Sequence, residues 1–151
     1  MCCLIYPSEL DPKGQYIFVA PPHGAFPFGN VCTAVAFPTV AGFSVKSLAA
    51  TAVIRYPIVR QIMAWIGVID ASRDSAHRAL LEGNSIGICP GGIEEIFETN
   101  LETESLIMRK RKGMIRLALK TGVPLVPCYM FGNSLALHTY FDPWNIMHTV
   151  S

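Results

Sequence analysis

This chain of 151 residues has few charges for its size, and this scarcity narrows the classes of protein it can belong to. Charged residues make up 15% of the sequence and the formal net charge is +1. It therefore lacks the strong basic field that binds nucleic acid, and we expect no nucleic-acid partner. Hydrophobic residues make up 51% of the chain, which predicts a protein that meets lipid or packs against further protein segments.

The chain also lacks the cysteine patterns of disulfide scaffolds and metal sites. Its five cysteines are an odd number, with no C-x-x-C and no paired Cys/His ligand spacing. This pattern is typical of a reducing compartment. We expect neither a structural disulfide framework nor a metal ion.

A membrane-spanning helix is a further feature that the sequence argues against. The segment between Lys13 and Lys46 has no charged residue and exceeds the roughly 20 residues that cross a bilayer as a helix. Four prolines and several glycines interrupt it, and they break any helix long enough to cross. The prolines are Pro21, Pro22, Pro27 and Pro38.

The segment QYIFVAPPHG, residues 15–24, ends with a histidine in a distinctive position. Residues 16–19 favour an extended strand, whereas Pro21 and Pro22 cannot continue a central strand. His23 is therefore predicted to lie at a strand end, where α/β folds collect catalytic groups. Histidine titrates closest to neutrality and can act as a general base. The alternative is a loop histidine that only caps its own turn.

Strand-favouring and helix-favouring segments alternate along the chain, with no repeat or low-complexity linker. This alternation predicts an α/β fold, a layered domain with a central, at least partly parallel sheet flanked by helices. Predicted strands cover Tyr16–Val19, Val45–Ile54, Val68–Ile69, Ser85–Cys89 and Pro124–Phe131. Predicted helices cover Gly29–Ala36 (ended by Pro38), Pro57–Ile66 (stopped by Gly67), a segment capped by Ser72 or Asp74 that runs to Leu81, and Gly113–Thr121.

Two later segments combine with the first into an ordered set of motifs. Residues 88–95 read ICPGGIEE, and residues 109–132 read RKRKGMIRLALKTGVPLVPCYMFG. Together with YIF and PHG they resemble the diacylglycerol acyltransferase type 2 family. Its members carry YIF and PHG, a PGG-x-x-E or VGG-x-x-E turn, RKGF-x-x-LAL and LVP-x-Y-x-FG. The resemblance covers four spaced blocks between Tyr16 and Gly132.

The resemblance implies an acyl-CoA-dependent O-acyltransferase that converts diacylglycerol to triacylglycerol, with a fold similar to that of glycerolipid acyltransferases. Monoacylglycerol and long-chain alcohols are alternative acceptors. The resemblance also implies that acyl-CoA is the co-substrate and that no further cofactor takes part. The expected location is the cytosolic face of the endoplasmic reticulum membrane, with a membrane or lipid-droplet surface as partner. The resemblance leaves a homo-oligomer open.

Within that resemblance, the PHG triplet implies that His23 is the catalytic base, with Pro22 and Gly24 beside it as substrate-binding residues. Many members have a second histidine where this chain has Pro21, so we expect a single-base mechanism. Related glycerolipid acyltransferases use H-x-x-x-x-D, but the corresponding position here is Phe28. The carboxylate that orients the imidazole is therefore assigned to Glu95, at the end of the PGG-x-x-E turn. Its rivals are Glu94 and a purely solvated acidic helix start.

The basic residues of the motifs are expected to hold the donor. Arg111 and Lys112 match the RKG block and would neutralise coenzyme A phosphates; the alternatives are a solvated charge face and lipid headgroups. Arg73 resembles the S-R turn of the family and would bind a substrate phosphate or headgroup; otherwise it is an ordinary helix-start arginine. The backbone N–H groups near Gly24 or in the Gly91-Gly92 pair would stabilise the oxyanion.

Residues 83–87, GNSIG, fit the G-x-S-x-G pattern of hydrolases, whose serine requires a strand before it and a helix after it. The predicted order here is the reverse, so we do not expect serine-hydrolase chemistry.

Family members also have an N-terminal membrane hairpin and a C-terminal segment. We therefore interpret residues 1–151 as a single acyltransferase-like domain and expect it to be a fragment without those parts. The alternative function is a non-catalytic lipid- or CoA-binding fragment or a regulatory partner.

Overall fold

The structure is a computed structural model that describes residues 10–24, 27–40, 42, 44–92, 94–95 and 105–134. In chain order the elements are β1 (Ile17–Val19), α1 (Phe28–Val40), β2 (Val45–Ala49), α2 (Thr51–Ile54), α3 (Pro57–Trp65), β3 (Val68–Asp70), α4 (Arg73–Leu81), β4 (Ser85–Ile88), α5 (Gly113–Thr121) and β5 (Leu125–Pro127). Within this described part, no helix combines the length and the apolar character needed to cross a bilayer.

The strands form one five-stranded sheet in the order β3-β2-β4-β1-β5. Every neighbouring pair is parallel, with Phe18 of β1 in register with Gly87 of β4 and Val126 of β5. The predicted α/β fold with a parallel sheet is thus confirmed. Because the strands are parallel, β1, β4 and β5 all end at one edge of the sheet.

Alternating side chains of β1 supply both faces of the sheet. Ile17 and Val19 lie on one face with Ile86, packed against buried residues of α4 and α5. Phe18 lies on the other face with Val45. Strand β1 is therefore buried on both sides, which fixes the start of the loop that follows it and carries His23 (residues 20–24, the His23 loop).

The starts and stops of several helices were correctly predicted. Ser72 caps α4, since its Oγ accepts a hydrogen bond from the Ser75 N–H at 3.3 Å. Three helices are followed by a glycine with positive φ: Gly67 (76°), Gly83 (82°) and Gly122 (73°). These positions favour glycine because other residues strain in this backbone conformation.

Two boundaries before residue 55 were wrongly predicted. Helix α1 passes through Pro38 and ends at Val40. A proline in the last turn removes only one backbone donor, and few residues of the helix follow it. The predicted strand from Val45 ends at Ala49, and residues 51–54 form α2 instead. Its turn is closed locally, by the Arg55 N–H donating to the carbonyl of Thr51 at 3.1 Å.

The last strand is also shorter than predicted and ends at Pro127 rather than Phe131. The chain nevertheless keeps following the extension of β1: the Cys128 N–H donates to Val19 and the Met130 N–H donates to Pro21, at 2.8 and 2.9 Å. Prolines have no N–H to return, so the hydrogen bonding becomes one-sided and the ladder ends. β4 likewise ends at Ile88, one residue before the predicted Cys89.

Candidate active site

His23 lies beyond the carboxyl end of β1, at the edge where β4 and β5 also end. Its side chain is half-buried, and its Nδ1 lies 2.7 Å from the carbonyl oxygen of Gly24. A carbonyl oxygen only accepts hydrogen bonds, so this contact assigns the hydrogen of the neutral ring to Nδ1. Nε2 is then the nitrogen with a lone pair. This is the arrangement that a general base requires.

Glu95 is fully buried beside the same loop. Its Oε1 accepts a hydrogen bond from the backbone N–H of His23 at 3.4 Å. The structure thus brings the two predicted catalytic residues together, through the main chain of His23. Phe28 begins α1, so no acid stands at the position that related enzymes fill with aspartate.

The charge of Glu95 also acts on Cys89, the residue that follows β4. Burial, and secondarily the negative charge of Glu95, raise the pKa of the Cys89 thiol to about 12. The thiol lies 3.1 Å from the carbonyl oxygen of Ala20, to which it donates. Cys89 therefore stays protonated at neutral pH and is not a nucleophile.

The glycines of the two motifs permit close backbone approaches. A Cβ added at Gly91 would overlap the carboxylate of Glu95 and lie 2.6 Å from its Cβ, so glycine is what lets Glu95 fold back. Gly92 has a φ of 61° and Gly24 a φ of 63°. A Cβ at Gly24 would also approach the Asn133 carbonyl oxygen at 2.5 Å.

Arg111 lies over the Gly91-Gly92 turn. Its Nη2 forms an ion pair with Glu94 Oε2 at 3.1 Å and lies 3.5 Å from the Gly91 carbonyl oxygen. The side chains of Arg111 and Glu94 are 44% and 52% exposed. The two neighbouring glutamates therefore differ: Glu94 is a solvated surface residue, whereas Glu95 is buried against the histidine loop.

A cleft of about 1990 Å³ runs along this edge of the sheet. Apolar side chains from β1, β2 and β5, including Phe18, Val45 and Val126, form much of its lining. Five of the sequence-predicted site residues also line it: His23, Arg73, Gly92, Arg111 and Lys112. The other four, Pro22, Gly24, Gly91 and Glu95, are buried and support the loops behind it. Arg73 is the exposed first residue of α4, and Lys112 directly precedes α5.

Two asparagines that join the loops of the site were not among the residues predicted from sequence. Asn133 follows β5 and is 3% exposed; its amide donates to the carbonyls of Pro22 and His23 at 2.8 and 3.0 Å. Asn30 in α1 donates to the Ala20 carbonyl at 3.1 Å. The available signal was position, since Asn133 directly follows the last motif residue, Gly132.

Comparison with known proteins decides the family. The model of the family described as "Diacylglycerol acyltransferase" matches residues 2–145. This chain belongs to the diacylglycerol acyltransferase family. The resemblance inferred from the four motifs is thereby confirmed.

Relatives in this family carry several names. The chain is 38% identical over 138 residues to diacylglycerol O-acyltransferase 2B of Umbelopsis ramanniana, covering 87% of the chain and 40% of the relative. It is 34% identical over 143 residues to 2-acylglycerol O-acyltransferase 1 of Mus musculus, covering 87% and 42%. It is 34% identical over 134 residues to acyl-CoA wax alcohol acyltransferase 1 of Homo sapiens, covering 84% and 41%. The chain thus spans about two fifths of these relatives. No solved structure matches it.

The G-x-S-x-G segment of this family member lies at the opposite edge of the sheet. Ser85 is the buried first residue of β4, and its Oγ accepts a hydrogen bond from the Tyr16 N–H at 3.1 Å. Helix α4 precedes it and the strand follows. The order is the reverse of a nucleophile elbow, as predicted, and the serine is a structural residue.

Proposed function

We propose that this chain carries the catalytic centre of an acyl-CoA-dependent O-acyltransferase that converts diacylglycerol to triacylglycerol. One observation carries the proposal. Nδ1 of His23 lies 2.7 Å from the Gly24 carbonyl oxygen, and His23 lines the same apolar cleft as Arg73, Arg111 and Lys112. A base, a basic rim and an apolar cleft are what a reaction between an alcohol and a fatty acyl-CoA needs. Membership of the family supports the reaction class.

In the proposed mechanism, Nε2 of His23 takes the hydroxyl proton of the acceptor as its oxygen attacks the thioester carbonyl carbon. Such a base contributes about 10²- to 10⁴-fold to the rate. The ring then holds a hydrogen on both nitrogens, and the Gly24 carbonyl stabilises its positive charge. The negative charge of Glu95, beside the same loop, acts in the same direction. The tetrahedral intermediate collapses when its carbon–sulfur bond breaks, and the departing thiolate of coenzyme A takes the proton from Nε2.

Arg111 and Lys112 are proposed to hold the phosphates of the donor, with Arg73 as a third cation on the rim. Arg111 must leave or share its ion pair with Glu94, and an exposed pair of this kind is worth only about 0–1 kcal/mol. A phosphate offers a guanidinium two parallel hydrogen bonds, which are stronger. We propose that backbone N–H groups near Gly24 or in the Gly91-Gly92 turn stabilise the oxyanion. Acyl-CoA is a co-substrate, and no further cofactor takes part.

Diacylglycerol is the acceptor we favour, because the relative with 38% identity is named a diacylglycerol O-acyltransferase. Relatives named for 2-acylglycerol and wax alcohol are 34% identical, so monoacylglycerol and long-chain alcohols are the alternatives.

We further propose that the chain meets a membrane through α2 and α3, on the cytosolic face of the endoplasmic reticulum. Neither helix has a buried side chain. Ile58 and Trp65 are 78% and 76% exposed. Residues 51–67 include two arginines, Arg55 and Arg60, and no acidic residue. Exposed apolar side chains with nearby arginines are what an anionic lipid surface attracts.

The test of the proposed function is a turnover assay with labelled oleoyl-CoA in detergent–lipid micelles. Diacylglycerol, monoacylglycerol and a long-chain alcohol are offered separately, and we expect the highest rate with diacylglycerol. The same assay on a chimera, in which residues 16–134 replace their counterpart in the Umbelopsis ramanniana relative, provides the remaining three fifths of an enzyme. Binding of oleoyl-CoA without transfer in both proteins would support the non-catalytic alternative instead.

A further inference from the structure

We propose that Asn133 is a positioning residue that holds the His23 loop in its working conformation. This inference rests on the proposed function of His23 as the base. Asn133 follows β5 in the chain and is more than a hundred residues away from the loop in sequence. Its side chain is almost completely buried, and each of its polar atoms contacts the histidine loop or the start of α1.

The side-chain amide of Asn133 joins two segments. Its Nδ2 lies 2.8 Å from the Pro22 carbonyl oxygen, 3.0 Å from that of His23 and 3.1 Å from Oδ1 of Asn30. Its Oδ1 accepts a hydrogen bond from the Gly29 N–H at 2.9 Å. One side chain therefore ties the histidine loop to the first turn of α1.

The loop needs such a donor because its own backbone has few N–H groups. Pro21 and Pro22 have no N–H, and the His23 N–H is directed at Glu95. The loop carbonyls thus depend on donors from outside the sheet, and a buried carbonyl that loses its partner costs free energy. Asn133 is such a donor for two consecutive carbonyls, Pro22 and His23.

The main chain of Asn133 constrains the same loop. The Asn133 carbonyl oxygen lies 2.5 Å from where a Cβ of Gly24 would be. Gly24 in turn provides the carbonyl that contacts Nδ1 of His23. Movement of the segment around Asn133 would therefore change the orientation of the imidazole without touching a substrate.

Asparagine is suited to this position because it donates and accepts at the same time. Aspartate has nearly the same shape but, when ionised, only accepts. It would place a negative oxygen against two carbonyl oxygens and would expel the loop. Asn133→Asp therefore removes the donor with little change in volume.

The experiment measures acyl transfer as kcat and KM for oleoyl-CoA in Asn133→Asp. We expect kcat to fall about 10- to 100-fold, as a displaced catalytic group causes. KM for the donor should stay within about twofold, because the proposed phosphate-binding residues lie on other elements. Asn84→Asp is the matched control, since Asn84 also bonds a backbone carbonyl, that of Ala79 at 3.3 Å, away from the histidine loop. It should keep the kcat of the parent.

Asn133→Ser is measured alongside, so that the test does not depend on the stability of the aspartate variant. Serine is too short to reach both carbonyls but leaves room for water, so it should fold and lose kcat in the same direction. A parental kcat in either folded variant, or a rise in KM at unchanged kcat, would overturn the inference. Failure of the proposed function gives a different result: either the parent shows no acyl transfer, or His23→Ala retains turnover. Failure of this inference alone leaves His23→Ala inactive while the Asn133 variants keep the kcat of the parent.

Discussion

The imidazole of His23 has two ring nitrogens with different surroundings. Nδ1 faces the Gly24 carbonyl oxygen at 2.7 Å, so Nε2 is the nitrogen that we propose acts on the substrate. The Glu95 carboxylate contacts the backbone N–H of His23 and not its ring, so it stabilises the loop. The ring itself is oriented by the carbonyl of Gly24. The motif indicated that Glu95 and His23 would be close. Which atoms meet depends on the path of the buried loop, which long-range packing decides.

The position of Glu95 depends on the absence of a side chain at Gly91, which gives a prediction at the scale of single residues. Gly91→Ala should lower the free energy of unfolding by about 1–3 kcal/mol, as overpacking does, because its Cβ overlaps the buried Glu95 side chain. Denaturant titration measures the effect. In Gly113→Ala, where a Cβ meets nothing within 4 Å, the free energy should be unchanged or higher by up to about 1 kcal/mol. Equal values for the two variants would contradict the proposed packing.

At the scale of elements, local signals predicted the structure well wherever a cap or a glycine ends a helix. Ser72, Gly83 and Gly122 mark boundaries by their own backbone chemistry. The wrong boundaries have non-local or partly local causes. Helix α1 tolerates Pro38 near its end. Strand β5 stops at Pro127 because the segment after it runs beside the two prolines that come shortly after β1. The latter could not be foreseen without knowing that β5 pairs with β1.

The segment that leads into α5 provides a prediction about the donor. Arg111→Ala combined with Lys112→Ala should raise the half-saturating concentration of oleoyl-CoA more than it lowers turnover at saturation, because phosphate contacts are made in both ground and transition states. Dephospho-CoA esters should reduce the difference. Arg78→Ala combined with Arg109→Ala also removes two positive charges, from exposed residues that do not line the cleft, and is the control. Identical donor dependence in the two double variants would return Arg111 and Lys112 to a solvated charge face.

The exposed side of α3 provides a prediction about membrane contact. Ile58→Ser combined with Trp65→Ser should weaken binding to vesicles containing anionic phospholipid by at least about tenfold, given roughly 1.5–3 kcal/mol for each buried apolar side chain. Vesicle flotation measures it. Leu81→Ser combined with Leu119→Ser is the control, since these leucines are 72% and 81% exposed and lie on α4 and α5. Equal loss of vesicle binding in both variants would indicate non-specific hydrophobic adsorption instead of a defined contact through α3.

At the scale of the whole molecule, the parallel sheet explains why motifs far apart in sequence converge. PHG follows β1, PGG-x-x-E follows β4 and the final FG follows β5, and these three strands are neighbours. The class of fold and the meeting of these motifs at one edge were open to prediction from sequence. Asn133 was not, because its role depends on a side chain that crosses from one loop to another.

The central claim is that His23 is the base for acyl transfer, and one comparison tests it directly. Turnover of oleoyl-CoA with diacylglycerol, and binding of a non-transferable oleoyl-CoA analogue, are measured for the parent, His23→Ala and His77→Ala in the chimera described above. His77 lies in α4 and outside every motif but lines the same cleft, so it controls for the loss of an imidazole from the cleft. We predict that His23→Ala loses about 10²-fold or more of its turnover and binds the analogue as the parent does, while His77→Ala keeps both. Turnover at the parental rate in folded His23→Ala would contradict the mechanism.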